Sequence, residues 1–206
     1  MADEVLWPET IDPSVKRDVE ACLFASGTPL TAEALLAAVG QDDCTSLGGI
    51  ESVLHSLVQD FPPAGARGFE LVRLAGGWAF RTNPHCQQAV SALFELPDDA
   101  SKLSPAAMEV LAIVAYLQPV SRPQITEVRG VNSDSPMQRL LDRELITEVG
   151  RSQAAGGAVL YGTTDRFQVV FGLSSLEDLP DLEGFALGEE QKENLRRRLG
   201  LLAAPE

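Results

Sequence analysis

The chain has 206 residues, 45% of them hydrophobic, and carries 16 lysines and arginines against 30 aspartates and glutamates. The hydrophobic fraction is ample for packed cores, and no run approaches the roughly 20 apolar residues of a membrane-spanning helix. We therefore expect a protein without a membrane anchor. The formal net charge of -14 also disfavours strong direct binding to nucleic acids, because phosphate backbones repel such a surface.

Residues 1–13 are predicted to form an N-terminal arm, because they combine two prolines with four acidic residues. They lack the basic and apolar regions of a secretory signal, so we expect a cytoplasmic protein. Trp7 is the largest apolar side chain of the arm, and it packs either on its own domain or on a second subunit.

Residues 14–98 carry the pattern of three helices and a hairpin. A helix runs from Ser14 to about Ser26, and a second one begins after Thr31 and ends at Gly40. A third helix has apolar residues at helical spacing, namely Ile50, Leu54, Leu57, Val58 and Phe61. The stretch FELVRLAGGWAFRT then predicts two strands around a tight turn at Gly76-Gly77, and Asn83-Pro84 begins a last helix to about Glu95.

Residues 103–182 repeat this order. Ser104 and Pro105 open an apolar helix that runs to Tyr116, and Ser121 opens a second helix that ends at Gly130. A third helix follows, with Met137, Leu140, Leu141 and Leu145 at helical spacing. The period then changes to two at 146–149 and 159–163, which predicts a two-stranded ribbon. Asp165 to Phe171 is predicted as a short helix.

The two halves echo each other at an offset of 90 residues. Pro29 aligns with Pro119, Thr31 with Ser121, and Gly40 with Gly130. We therefore predict a mainly α protein with small β wings, built as two tandem winged helix-turn-helix domains. The acidic stretch 96–102 separates them. Residues 183–206 are predicted to form an acidic linker and a C-terminal helix that carries Arg196-Arg197-Arg198, a run that favours the helix dipole more than a nucleic-acid site.

Residues with metal or catalytic chemistry are few and scattered. Cys22, Cys44 and Cys86 include no C-x-x-C pair and are odd in number, which argues against a zinc site and against a disulfide framework. No nucleophile, base and orienting group occur at a defensible spacing, and no phosphate-binding glycine loop follows a strand. We predict no cofactor, no metal and no enzymatic activity.

Two functions remain for tandem winged helices, a DNA-binding transcription regulator and a protein-binding adaptor. Winged-helix proteins that read DNA use a basic third helix, whereas here Asp134, Asp142 and Glu144 outweigh Arg139 and Arg143. Residues 1–100 hold 5 basic and 15 acidic side chains, and residues 101–206 hold 11 and 15. The charge favours the adaptor.

The second half also resembles a known family. The stretches LAIVAYLQPVSRPQITEVRGVNSD, LITEVGR, LYGTT and FGLSSLEDLP are similar to those of the bacterial segregation and condensation protein B family, ScpB. The resemblance implies two winged-helix domains, a homodimer, and a kleisin partner, ScpA, through which the protein acts on the SMC ATPase and associates with the nucleoid. The family's usual Gly-Arg-Pro before the last strand stands here as Gly156-Gly157-Ala158.

The resembling segment supplies the predicted site for a helical or extended segment of a kleisin-like chain. Its residues lie in turns and in the last strand: Gln118, Pro119, Arg129, Gly130, Val131, Leu160 and Tyr161. Leu160 and Tyr161 point to opposite faces of a strand, so at most one of them contributes to a flat surface. For the homodimer interface we predict Trp7, Trp78 and Phe80, with completion of their own domain's core as the alternative.

Overall fold

The structure is a computed structural model that describes residues 12–40, 46–94, 102–153 and 157–181. Cα distances divide the chain into two compact units, Met1–Pro97 and Asp98–Glu206, which we call the first and second unit. The predicted C-terminal helix and all but the last two residues of the predicted arm lie outside the described residues. The finer domain limits, 14–98 and 103–182, stay predictions.

The described part of the first unit consists of three helices, a hairpin and a short fourth helix. The helices are α1 (Pro13–Ala25), α2 (Ala32–Val39) and α3 (Leu47–Asp60), and the side chains of Asp12, Thr31 and Ser46 cap their N-termini. Strands β1 (Phe69–Leu74) and β2 (Gly77–Thr82) pair antiparallel, and a 3-10 turn leads into α4 (Gln87–Leu93). The core is apolar and is formed mainly by Val19, Leu23, Leu35, Ile50, Val53, Leu54, Leu57, Phe61 and Leu71.

The wing of the first unit turns one residue earlier than predicted. Leu74 pairs with Gly77, so the turn consists of Ala75 and Gly76, with φ angles of 48° and 76°. The prediction of Gly76-Gly77 as the turn is therefore wrong. Gly77 is needed for a different reason, because a Cβ on it would lie 3.0 Å from three backbone atoms of Leu30. That approach lets Leu30 and Trp78 exchange two backbone hydrogen bonds of 2.9 and 2.8 Å.

The second unit has the same helix order. Its helices are α5 (Pro105–Leu117), α6 (Arg122–Arg129) and α7 (Asp134–Asp142), followed after the wing by α8 (Asp165–Phe171). Ser104 caps α5, and Gly130 ends α6 in the left-handed conformation, with φ 73°. The core centres on α5 and includes Val110, Leu111, Val114, Ile125, Met137, Leu140, Ile146, Tyr161 and Phe167.

The sheet of the second unit has three strands, whereas the sequence predicted two. Strand β3 (Val120–Ser121) pairs with β5 (Val159–Thr163), which also pairs with β4 (Ile146–Arg151). The order is β3-β5-β4, and a bulge at Val149 interrupts the β4–β5 register. Two residues are too few to show a period, which is why β3 was missed.

Each unit thus contains three helices followed by an antiparallel hairpin. This confirms the predicted fold class, mainly α with small β wings in two tandem winged helix-turn-helix domains. Among the described residues, no helix is long and apolar enough to span a membrane.

Candidate partner-binding site

A groove of about 430 Å³ lies on the sheet of the second unit, and we call it the sheet-face groove. Tyr161 points into the core, so Leu160 and Gly162, its neighbours on β5, lie on the opposite face. The turn between α5 and β3 forms one wall and β4 forms the other. The residues that line the groove are Gln118, Pro119, Val149, Gly150, Arg151, Leu160 and Gly162.

Gln118 fixes the wall formed by the turn. Its Oε1 accepts hydrogen bonds from the backbone N–H and the hydroxyl of Thr163, at 2.7 and 3.1 Å, and its Nε2 donates to the carbonyl of Ala115 at 3.2 Å. The side chain therefore ties the end of α5 to β5. Because both ends of the amide already have partners, Gln118 positions the groove more than it offers hydrogen bonds to a ligand.

The floor of the groove is close-packed at Gly162. A Cβ at this position would lie 2.9 Å from Gln118 Oε1 and 2.9 Å from Val149 Cγ1. The absence of a side chain thus lets the two walls approach each other over β5. Val149 itself is 53% exposed, and Leu160 is half-buried, so both present apolar surface to an occupant.

The structure brings only three of the seven predicted site residues into the groove: Gln118, Pro119 and Leu160. Tyr161 lies below it with 3% of its surface exposed, and its hydroxyl accepts a hydrogen bond from Arg122 Nε at 3.3 Å. Sequence reasoning missed Val149, Gly150, Arg151 and Gly162. Alternation from the buried Ile146 puts Val149 on the outer face, and this signal was available.

The other three predicted residues lie at the turn between α6 and α7. The Arg129 side chain is only 7% exposed and donates to Glu109 Oε2 at 3.1 and 3.0 Å, to the Asn132 carbonyl at 3.2 Å and to Ser133 Oγ at 3.1 Å. Arg129 is thus engaged within its own unit. Gly130 ends the helix, and Val131 is 55% exposed at the turn.

The predicted dimer residues that the structure describes lie in the first unit. Trp78 and Phe80 are half-buried and pack against the core of that unit. The Phe80 ring contacts Phe61 and Phe69 edge-on, with centroid distances of 5.1 and 5.6 Å. These contacts agree with the alternative given above, in which Trp78 and Phe80 complete the core of their own domain. Trp7 lies outside the described residues, and the homodimer stays a prediction.

Charged groups at the start of α6 and α7 are paired with each other. Arg122 NH1 lies 3.2 Å from Asp134 Oδ1, and its guanidinium carbon lies 5.7 Å from the centre of the Tyr161 ring. Arg122, the basic side chain at the start of α6, is therefore partly neutralised by an acid of α7. Among the described residues, no group of three or more His, Cys, Asp or Glu side chains could hold a metal ion.

Residues 17–182 match the family model described as segregation and condensation complex subunit ScpB. The chain belongs to this family. A protein named segregation and condensation protein B from Geobacillus thermodenitrificans is 43% identical over 171 residues, which are 83% of this chain and 79% of that protein. An ScpB relative from Moorella thermoacetica is 36% identical over 185 residues, 89% of this chain and 90% of its own length.

Among solved structures, the chain is similar to the crystal structure of ScpB from Mycobacterium tuberculosis. The sequence identity is 39%, the match covers 77% of this chain and 95% of that chain, and the TM-score is 0.35. Membership in the ScpB family confirms the resemblance, which is strongest in the second half of the sequence and includes the helix pattern and the stretch GGWAFRTNP of the first half.

Proposed function

We propose that this protein is a non-enzymatic adaptor subunit that binds an ScpA-like kleisin and through it regulates an SMC ATPase in the cytoplasm. It reaches DNA only through these partners. The observation that carries the proposal is the sheet-face groove, which combines exposed apolar side chains with a wall fixed by Gln118. Family membership supports the assignment to a segregation and condensation complex.

The chemistry of the groove suits a polypeptide segment better than a nucleic acid. Pro119, Val149 and Leu160 supply apolar surface, and Arg151 is the one cation that lines it. An apolar side chain of the kleisin would bury against Val149 and Leu160, at about 25 cal/mol per Å² of apolar surface removed from water. Arg151 at the rim would favour an acidic residue beside this anchor.

The charge of the first unit and of α7 opposes the alternative, a DNA-binding transcription regulator. DNA affinity depends on lysines and arginines that neutralise phosphates. On α7, Asp134 and Asp142 stand against Arg139, and Asp134 is already held by Arg122. Helix α7, which would enter the major groove, therefore has no basic face.

The test is binding of purified protein to the ScpA-like kleisin of the same organism, measured by calorimetry. We expect Val149→Asp to weaken binding roughly a hundredfold, because it places a charge against an apolar anchor. Val170→Asp is the matched control, since Val170 is similarly exposed, at 59%, on α8 of the same unit. Val131→Asp decides whether the turn between α6 and α7 belongs to the interface.

Two results would overturn the proposal. One is equal kleisin affinity of the Val149→Asp and Val170→Asp proteins. The other is tight DNA binding by the isolated protein, with affinity falling steeply as salt rises, which would favour the transcription regulator. Light scattering of the same samples tests the proposed homodimer. A mass that stays at 22.1 kDa, the mass of one chain, as the concentration rises would exclude it.

A further inference from the structure

A second cavity, of about 310 Å³, lies within the first unit between the start of α2, the middle of α3 and the wing. We call it the wing cavity. Leu54, which is buried, lies at its base, and Trp78 lies on its wing side. Ala32 and Glu33 contribute from α2, Glu51 from α3 and Arg73 from β1. The family resemblance and the sheet-face groove assign nothing to this place.

The second unit shows what can fill the equivalent position. Val120 pairs with Tyr161 there, as Leu30 pairs with Trp78 in the first unit. The residue after the capping Ser121 is Arg122. Its guanidinium lies 5.7 Å from the centre of the Tyr161 ring and 3.2 Å from a carboxylate oxygen of Asp134 on the third helix.

The first unit has the same ring position but no arginine after its cap. Its third-helix carboxylate, Glu51, also lines the cavity, but it is the fifth residue of α3, whereas Asp134 is the first residue of α7. Thr31 caps α2 as Ser121 begins α6, and the next residue is Ala32, whose methyl group leaves the space open. We propose that the wing cavity binds an arginine side chain of a partner polypeptide. The guanidinium lies between Trp78 and Glu51, as that of Arg122 lies between Tyr161 and Asp134.

The charges that line the wing cavity favour a cation over an anion. Hydrogen bonds from its own backbone N–H and from the Thr31 hydroxyl lower the pKa of Glu33, so this carboxylate stays ionised at the N-terminus of α2, where an anion would otherwise bind. The Glu51 carboxylate has no hydrogen bond or ion pair within the part of the chain that the structure describes. Two carboxylates therefore line the cavity, together with the guanidinium of Arg73 and the imidazole of His55.

Arg73 of the first unit lies beside the ring of Trp78, as Arg122 of the second unit lies beside the ring of Tyr161. Its guanidinium is 6.0 Å from the centre of the Trp78 ring, but the side chain is exposed and has no carboxylate partner among the described residues. An incoming guanidinium adds a second positive charge to a cavity lined by Glu33 and Glu51, and it pairs with the Glu51 carboxylate.

The test uses blocked arginine, N-acetyl-arginine amide, as the probe. A Trp7→Phe protein leaves Trp78 as the single tryptophan, so that its fluorescence and its indole N–H signal in NMR report on the wing cavity. We expect a saturable change at millimolar probe. The uncharged isostere, N-acetyl-citrulline amide, should produce roughly a tenfold weaker response, because it lacks the charge that Glu51 attracts.

Ala32→Arg places the side chain of the second unit in the wing cavity of the first and should abolish the response. Ala38→Arg is the matched control, because Ala38 is exposed on the same helix and does not line the cavity. Glu51→Gln should weaken binding roughly tenfold and serves if Ala32→Arg fails to fold. The proposal is overturned by an equal response to citrulline, by retained binding in a folded Ala32→Arg protein, or by a response to inorganic phosphate instead.

Discussion

In the first unit, Leu30 pairs with Trp78 of the wing, and in the second unit Val120 pairs with Tyr161 in the same way. Both aromatic rings have an arginine beside them, but Arg73 reaches Trp78 from β1, whereas Arg122 reaches Tyr161 from α6. The two units therefore share the same backbone pairing, but the arginine beside the ring comes from a strand in one and from a helix in the other. Two winged helices can thus have the same backbone arrangement and different charged side chains on their surfaces.

The two wings also differ in the atoms that pack against a glycine, and substitution of these glycines should cause the largest loss of stability. A Cβ at Gly77 would meet the backbone of Leu30 at 3.0 Å, and that backbone is held by hydrogen bonds to Trp78. A Cβ at Gly162 would meet side-chain atoms of Gln118 and Val149, which move at a lower cost than backbone atoms do. We expect Gly77→Ala to cost roughly 2 to 3 kcal/mol and Gly162→Ala roughly 1 kcal/mol.

Hydrogen exchange at increasing urea concentrations measures both values, because it reports on each unit separately. Gly27→Ala is the control, since nothing lies within 4 Å of a Cβ at Gly27, and it should change stability by less than about 0.5 kcal/mol. Equal losses for Gly77→Ala and Gly162→Ala would show that the Leu30–Trp78 pairing is as adaptable as the walls of the sheet-face groove.

A buried carboxylate distinguishes the first wing from the second. Glu70 is 1% exposed, its Oε1 lies 2.7 Å from Arg81 Nε, and its Oε2 accepts from the Ala64 N–H at 2.6 Å. Glu148 of β4 is exposed. We expect Glu70→Gln to destabilise the first unit by about 1 to 2 kcal/mol at neutral pH, and Glu148→Gln to have almost no effect on the second.

The effect of Glu70 depends on pH with a defined sign. Burial alone would raise the pKa of Glu70, but the hydrogen bond from Ala64 and the pair with Arg81 outweigh it and lower the pKa. The stabilisation is therefore complete above the ordinary pKa of a glutamate and is lost as pH falls through the lowered value. Acid titration of unfolding should show the Glu70→Gln protein converging on the unmodified one, and a constant difference would contradict this account.

The smallest expected effect concerns the two arginines. Arg122→Met keeps the apolar stem but loses the contacts with Tyr161 and Asp134, so we expect a loss of about 1 kcal/mol. Arg73→Met loses only an exposed contact with Trp78, at the distance limit of a cation–π interaction, and should cost about 0.5 kcal/mol. Thermal unfolding of both variants measures the difference, and a larger loss for Arg73 would reverse the comparison.

Helices were predictable from the sequence because their signals are local. Thr31 and Ser104 cap the helices that they were expected to cap, and Gly130 ends α6 as expected. Pairing between distant residues was not predictable in this way. Strand β3 exists only because Val120 and Ser121 meet β5, and two residues carry no period of their own.

The candidate site shows the same division between local and distant signals. Leu160 was placed correctly on the face opposite Tyr161, because alternation along a strand depends on adjacent residues only. The role of Arg129 could not be deduced, since its partner Glu109 comes from another helix and the sequence contains no sign of their contact. The same holds for Gln118, whose amide replaces a backbone partner for Thr163.

The bulge at Val149 has a consequence for solubility. Strand β4 is at the edge of its sheet, and an uninterrupted edge strand can pair with the edge strand of another molecule. The extra residue breaks the regular spacing of backbone donors and acceptors along β4, and the charged Glu148 and Arg151 flank the break. The outer strand thus exposes the apolar side chain of Val149 while it resists aggregation by strand addition.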